Sequence, residues 1–421
     1  MKLHAITLGC QMSAADGSET LARLRERGWA AAESPEDADA IFLTTCSVRD
    51  HAEQRALSLI GRLREWKAKD PKRFLVVAGC VAERLGQRLA KRFPHVDLVL
   101  GSKKAGSYAD LVAEAFAVRN SESPKAIRNP AGGDSVVQSL TIMRGCSCAC
   151  SYCIVPSVRG PELCRPADEI LAEARARLAG GARELILLGQ RVNAWRDGDR
   201  DLAGLLRELD SLPGLARLRF MSPHPALCDE RLFAALAGCR TACEWLHLPV
   251  QSGSDRLLGL MGRGYTRGQF LDTARRLRAA VRGVVVSTDI IVGFPSETEA
   301  EFAETLGLVS ELRPATAFCF KYSGREGTPA AELADDVPAA VKEARLAAVN
   351  AVVDRHTAQA LQEAVGSMVE VLAETPTFGR TRTGFKARWK SPVAAGRLAP
   401  LRVTAATRRT LLGDIHEPHD P

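Results

Sequence analysis

The 421-residue chain has no apolar run long enough to cross a membrane. Its most apolar stretch, Val284 to Phe294, is broken by Ser287, Thr288 and Asp289. No apolar run follows Met1 and Lys2, so no secretory leader and no membrane partner are expected, and a cytoplasmic setting is. Disulfides are rare in the cytosol, and a chain of this length buries enough core to need no disulfide staples. The 12 cysteines therefore point to metal or redox chemistry. Acidic residues are also absent locally: Thr377 to Arg409 holds nine Lys or Arg and no Asp or Glu. The whole chain carries only +7, so the rest is net acidic and the basic excess belongs to the C-terminus. Apolar content of 46% is that of an ordinary globular protein, and the length suits two or three domains.

Cys146, Cys150 and Cys153 are spaced Cys-x3-Cys-x2-Cys. Such a loop can wrap three corners of a cubic iron–sulfur cluster and leave the fourth iron without a protein ligand. Tyr152, between the last two thiols, can present an aromatic face to whatever binds that iron. The pattern resembles the signature of radical S-adenosylmethionine (SAM) enzymes, in which the open iron chelates the amine and carboxylate of SAM. A zinc knot using Cys148 is the competing reading, although zinc sites more often pair two Cys-x2-Cys knuckles.

Residues 1–130 alternate short apolar strands (Leu3–Leu8, Ala40–Thr45, Phe74–Ala78, Val96–Leu100) with helices at Glu19–Glu26 and Ala52–Lys67. That alternation predicts an α/β fold with a doubly wound parallel sheet. Cys10, Cys46 and Cys80 each lie just past a strand end. In such a sheet those ends share one edge, where ligands bind. The alternatives are a second three-cysteine cluster or three buried core thiols. Val118–Gln138 reads as a linker. Residues 131–365 alternate again, with strands at Glu184–Leu188, Ala216–Met221, Trp245–Val250, Val284–Val292 and Thr316–Lys321. Together with a strand leading into the cysteine loop they predict an open, partial β/α barrel. Gln190, Asn193, Ser222, His224, Gln251, Ser252 and Asp289 are expected at its C-terminal strand ends.

Leu8-Gly-Cys-Gln-Met12, Thr45-Cys-Ser-Val-Arg-Asp-His-Ala52, Ala78-Gly-Cys-Val-Ala-Glu83, Leu188-Gly-Gln-Arg-Val-Asn193 and His247-Leu-Pro-Val-Gln-Ser-Gly-Ser-Asp255 resemble the methylthiotransferase family of radical SAM enzymes. Gln11 and Met12 place the resemblance closest to the branch acting on N6-dimethylallyl-adenosine in tRNA. The resemblance implies two 4Fe-4S clusters, one on Cys10, Cys46 and Cys80 and one on Cys146, Cys150 and Cys153. It also implies SAM held by Tyr152, Glu184, Gln190, Asn193, Ser222, Gln251 and Asp289, with Arg263, Tyr322 and Arg325 toward the substrate. His224 and His247 read equally as strand-end hydrogen bonders. Cys228, Cys239, Cys243 and Cys319 read as packing residues. Cys148 replaces the family's usual Lys; a fourth thiolate would block the iron that SAM needs, so Cys148 is expected to point out of the loop and Cys164 to be no ligand.

Residues 366–421 carry strands at Val369–Ala373, Phe385–Trp389 and Leu401–Thr404 and predict a small antiparallel β-barrel resembling the family's TRAM domain. Its basic residues, Lys386 and Arg388 among them, with Phe378, Phe385 and Trp389, fit an RNA platform of phosphate contacts and stacking rings. The implied chemistry replaces a hydrogen on carbon 2 of the adenine by methylthio. That C–H bond is not acidic, so a radical must remove the hydrogen. Cluster-bound sulfur would be methylated by one SAM, and a second SAM would supply the radical, two per turnover. A flavodoxin or ferredoxin would donate the electron to a monomer. The same chemistry on threonylcarbamoyl-adenosine or a ribosomal-protein aspartate is the alternative within the fold. A non-catalytic, zinc-stabilised RNA-binding protein is the alternative outside it.

Overall fold

The computed structural model describes residues 1–47, 50–120 and 135–416, which form two compact units. The first comprises the described parts of 1–133 with 144–148 and 153–163; the second comprises the described parts of 134–143, 149–152 and 164–421. Most of the expected linker, Val48 and Arg49 of the Cys46 motif, and nearly all of the tail after Ile415 lie outside the described residues.

In the first unit, β1 (Lys2–Leu8), β2 (Ala30–Ala31), β3 (Ala40–Thr45), β4 (Phe74–Gly79) and β5 (Leu98–Gly101) form one parallel sheet in the order β2-β1-β3-β4-β5. β3 and β4 are central and buried along their whole length, which is why their sequences are continuous rather than alternating apolar runs. Helices α1 (Gln11–Glu26), α2 (Asp50–Lys69) and α3 (Cys80–Leu85) follow β1, β3 and β4. α1 starts eight residues before the helix expected at Glu19. Its first two turns bury Met12, Ser13, Ala15, Asp16 and Gly17, a face too small and polar to register as an apolar stripe.

The second unit contains six parallel barrel strands: β6 (Val137–Thr141), β7 (Glu184–Leu188), β8 (Arg217–Phe220), β9 (Trp245–His247), β10 (Val285–Val292) and β11 (Thr316–Lys321). They pair as β8-β7-β6 and β9-β10-β11, and a parallel bridge from Leu218 to Ala242 links the two halves. This is the open β/α barrel expected from the sequence. Helices cover its outside, and the main core of this unit lies between them and the strands, with Trp195 and Phe233 fully buried. A 25-residue helix, Ala339–Glu363, was not apparent from the sequence. Its buried seam opens with Lys342 and Arg345 before Val349, Val353, Thr357 and Leu361, so two cations interrupt the apolar period.

β12 (Met368–Thr375), β13 (Phe378–Thr381), β14 (Lys386–Arg388), β15 (Leu398–Ala406) and β16 (Thr410–Ile415) close a five-stranded barrel in the order β12-β13-β14-β16-β15. All its pairings are antiparallel except β14 with β16. It is fastened to the larger barrel by arginines. Arg217 donates to the carbonyls of Arg380 (2.5 Å) and Glu370 (3.1 Å), and Arg219 to those of Arg382 (2.8 Å) and Thr381 (2.9 Å). Arg382 returns an ion pair to Glu244 at 2.8 Å. Among the described residues no helix is long and apolar enough to cross a membrane.

Candidate active site

In the first unit the three expected thiols do meet one sheet edge. Cys10 precedes α1, Cys46 directly follows β3, and Cys80 opens α3. Two glycines allow that approach. A Cβ on Gly9 would stand 2.7 Å from the Cys46 Cβ, and one on Gly79 (φ +102°) would stand 2.3 Å from the Thr45 carbonyl. Cys46 and Cys80 are buried and Cys10 is half-buried beside a cavity of about 280 Å³ lined by Cys10, Cys46, His51 and Arg55. A hydrogen bond from the Cys46 thiol, aided by Ser13 and by the charge of Arg159, holds Cys10 well below the usual thiol range against the opposing effect of burial. Arg159 is buried, with one amino group bonded to Asp16 at 3.0 Å and the other without a partner among the described residues. Asp16, with Cys80 and Cys10 nearby, favours its charged form against burial. An acidified thiol at Cys10 beside an underused buried cation suits an anionic iron–sulfur group. Among the described residues no three His, Cys, Asp or Glu side chains stand close enough to hold a single ion.

Cys146, Cys148 and Cys153 of the cysteine loop belong to the first unit, Cys150 and Tyr152 to the second. Gly145 (φ +77°) turns the chain so that the Cys146 amide bonds the Gly160 carbonyl at 3.0 Å. Cys148 does not point away, as expected, but turns back. Its amide lies 3.4 Å from the Cys146 sulfur, and its thiol is the largest influence lowering the Cys146 pKa. Two-residue spacing in so tight a turn brings the two thiols together. Cys164 is exposed.

In the second unit Ser151 is pinned by its amide to the Met261 carbonyl (3.1 Å) and by its hydroxyl to that of Leu260 (2.7 Å). Arg263 donates to the Cys150 sulfur at 3.3 Å and to the Tyr152 hydroxyl at 3.4 Å. It therefore reaches the cysteine loop, a position the sequence did not reveal. Gln190 and Asn193 follow β7, Ser222 follows β8, and Gln251 follows β9, all at C-terminal strand ends. Ser222 (φ +59°) and Gln251 (φ +81°) hold left-handed backbone conformations that side chains other than glycine seldom adopt. Such strain gathers at ligand sites. The buried Gln190 Oε1 and His224 Nδ1 have no hydrogen-bond partner among the described residues, so polar capacity is left over for a ligand. Asn193 exchanges hydrogen bonds with the backbone of His224, 2.8 and 2.9 Å, and fixes that corner.

Three expected positions differ from the sequence reading. Glu184 opens β7, roughly 20 Å of extended chain before Gln190, and is spent on Arg219 at 2.9 Å. It stands at the opposite end of the strand from Gln190 and Asn193. Asp289 lies within β10 rather than at its end and meets His247 at 3.3 Å. Tyr322 is buried, its hydroxyl donating to the Ala330 carbonyl at 2.7 Å. Arg325 is half-buried. Cys228, Cys239 and Cys243 are buried packing groups, and burial pushes the Cys228 thiol up to about 12.

On the small barrel Lys386, Arg388 and Lys390 are exposed, and the Arg388 guanidinium lies 5.9 Å from the Phe378 ring centre. Trp389 is not part of a stacking face. It is buried in the barrel core with Nε1 on the Pro376 carbonyl at 2.9 Å.

Residues 2–101 match the Uncharacterized protein family UPF0004, and residues 140–309 match the Radical SAM superfamily. The chain is 42% identical, over 98% of its length and 95% of the relative's, to the tRNA-2-methylthio-N(6)-dimethylallyladenosine synthase of Syntrophobacter fumaroxidans. It is 39% identical over 98% of its length to the protein of that name from Ruegeria pomeroyi, 99% of which is covered. The chain belongs to the tRNA-2-methylthio-N6-dimethylallyladenosine synthase family. Its fold is also similar to that of the radical SAM methyltransferase TsrM from Kitasatospora setae, with a TM-score of 0.57 at 14% identity over 78% of this chain and 77% of that one. A radical SAM methylthiotransferase of this family implies a 4Fe-4S cluster and SAM. The thiols and the unused polar atoms described above fit both.

Proposed function

We propose that the chain inserts methylthio at carbon 2 of N6-dimethylallyl-adenosine in tRNA. The observation that carries this reading is 37–42% identity, over 97–98% of this chain, to relatives that bear that one name. No feature of the site favours threonylcarbamoyl-adenosine or a ribosomal protein. By their spacing, Cys146, Cys150 and Cys153 would hold the cluster whose electron cleaves SAM to a hydrogen-abstracting radical. Gln190, Asn193, Ser222, Gln251 and Asp289 would orient SAM from the barrel's strands, with Tyr152 beside it. Cys10, Cys46 and Cys80 would hold the second cluster, the source of the transferred sulfur, with two SAM consumed per turnover. Arg159 would balance its charge. Arg325, Lys386 and Arg388 would meet the tRNA.

The division of labour would follow residues 1–130 for sulfur, 131–365 for the radical and 366–421 for anchoring tRNA, with a flavodoxin or ferredoxin as electron donor to a monomer. Mass spectrometry of tRNA nucleosides tests the reading in a strain lacking its own methylthiotransferase. Expression of this chain should convert the dimethylallyl nucleoside to its 2-methylthio form. Cys10→Ala, Cys46→Ala or Cys80→Ala should abolish that product while 5′-deoxyadenosine still forms from SAM. Product from any of the three would remove the sulfur-carrying role.

A further inference from the structure

The second unit buries four arginines, and the first buries Arg159. Four of these five have a carboxylate partner: Arg159 has Asp16, Arg217 has Glu370, Arg219 has Glu184 and Arg345 has Glu297. Arg263 differs. It is 5% exposed, and its hydrogen bonds run to the Tyr265 hydroxyl (2.9 Å), the Pro249 carbonyl (2.9 Å), the Tyr152 hydroxyl and the Cys150 sulfur. The strongest ionisable influences on it are Tyr152, Tyr265 and Cys150, His224 lies within its field, and no Asp or Glu among the described residues forms an ion pair with it. A buried guanidinium without a counter-charge is costly, and proteins rarely leave one so. Burial pushes the Tyr265 phenol up to about 12, so it stays neutral. Cys150 is the neighbour that becomes an anion when it ligates iron.

We propose that Arg263 is the charge partner of the cluster carried at Cys150, and that its hydrogen bond to that sulfur makes the cluster easier to reduce. The proposal rests on the cluster reading above and makes Arg263 a positioning and tuning residue rather than a substrate contact. Hydrogen bonds to cluster sulfurs and nearby positive charge both favour the added electron. The geometry is held firmly. Gly262 (φ +68°) places the Ala149 carbonyl 2.7 Å from where a Cβ would stand, so the segment carrying Arg263 lies directly on the loop carrying Cys150.

The test uses the full chain with Cys10, Cys46 and Cys80 replaced by Ala, which leaves only the loop cluster, alone and with Arg263→Gln or Arg263→Lys. Each protein is reconstituted anaerobically with iron and sulfide, and the cluster is titrated reductively under electron paramagnetic resonance. The parent should hold about four irons, as one cubane does. Arg263→Gln should keep them but weaken the preference for the reduced form about tenfold, ~59 mV for a one-electron couple. Arg263→Lys, which keeps the charge, should recover part of that loss. A midpoint in Arg263→Gln equal to the parent's would overturn the proposal. So would iron lost from both variants with circular dichroism unchanged, which would make Arg263 a packing group for the loop. A parent that takes up no iron would instead sink the cluster reading itself.

Discussion

Two thiols in the first unit owe their acidity to other thiols. Cys10 is lowered chiefly by Cys46, and Cys146 chiefly by Cys148. A depressed pKa means the thiolate persists at pH values where an ordinary cysteine, with pKa about 8.5, is protonated. In metal-free protein, iodoacetamide at neutral pH should therefore label Cys10 several-fold faster in the wild type than in Cys46→Ala, read by peptide mass spectrometry; equal rates would remove the thiol–thiol bond as the cause. Cys148 lies against Cys146, yet a fourth thiolate would occupy the iron that SAM must chelate. Cys148→Ser should keep its iron and its 5′-deoxyadenosine yield, and Cys150→Ser should lose a whole cluster. The reverse pattern of iron loss would mean that Cys148, not Cys150, is the ligand.

Among the elements, α1 shows most clearly why period alone is not enough. Its buried face is organised by Asp16, which pairs with Arg144 and, at 3.0 Å, with Arg159. Removing the acid leaves the buried Arg159 uncompensated and Arg144 with Glu19 alone, so Asp16→Ala should cost about 3–5 kcal/mol in denaturant unfolding of the metal-free chain. A loss below about 1 kcal/mol would show that the arginines find other partners. β14 presents the opposite case, a short strand whose outward residues are all solvated. Replacing Lys386, Arg388 and Lys390 by Ala should lower the log–log salt slope of tRNA binding by about two to three. An unchanged slope would clear this face of phosphate contacts. The central strands Ala40–Thr45 and Phe74–Gly79 were legible because each is a compact apolar run between turn signals, whereas the two-residue strand Ala30–Ala31 carries no such signal. α1 and Ala339–Glu363 were not, because their buried seams are built partly from paired charges.

At the scale of the whole chain, the small barrel is built into the second unit. Arg217 and Arg219 are buried and spend their donors on backbone carbonyls between Glu370 and Arg382. Deleting residues 367–421 would strip those acceptors from buried charges, so the truncated chain should unfold at a clearly lower denaturant concentration, and not merely bind tRNA less well. An unchanged midpoint would show the barrel to be an independent appendage. The sequence alone determined the family and the alternation of strands and helices, because motif words and apolar runs are local. Only the tertiary structure decided that Glu184 pairs with Arg219, that Trp389 faces a core, that Cys148 turns back to Cys146, and that Arg263 reaches Cys150. The Glu184, Trp389 and Arg263 contacts join segments farther apart in sequence, where electrostatic pairing and burial act, and the Cys148 turn depends on backbone geometry that no residue pattern records.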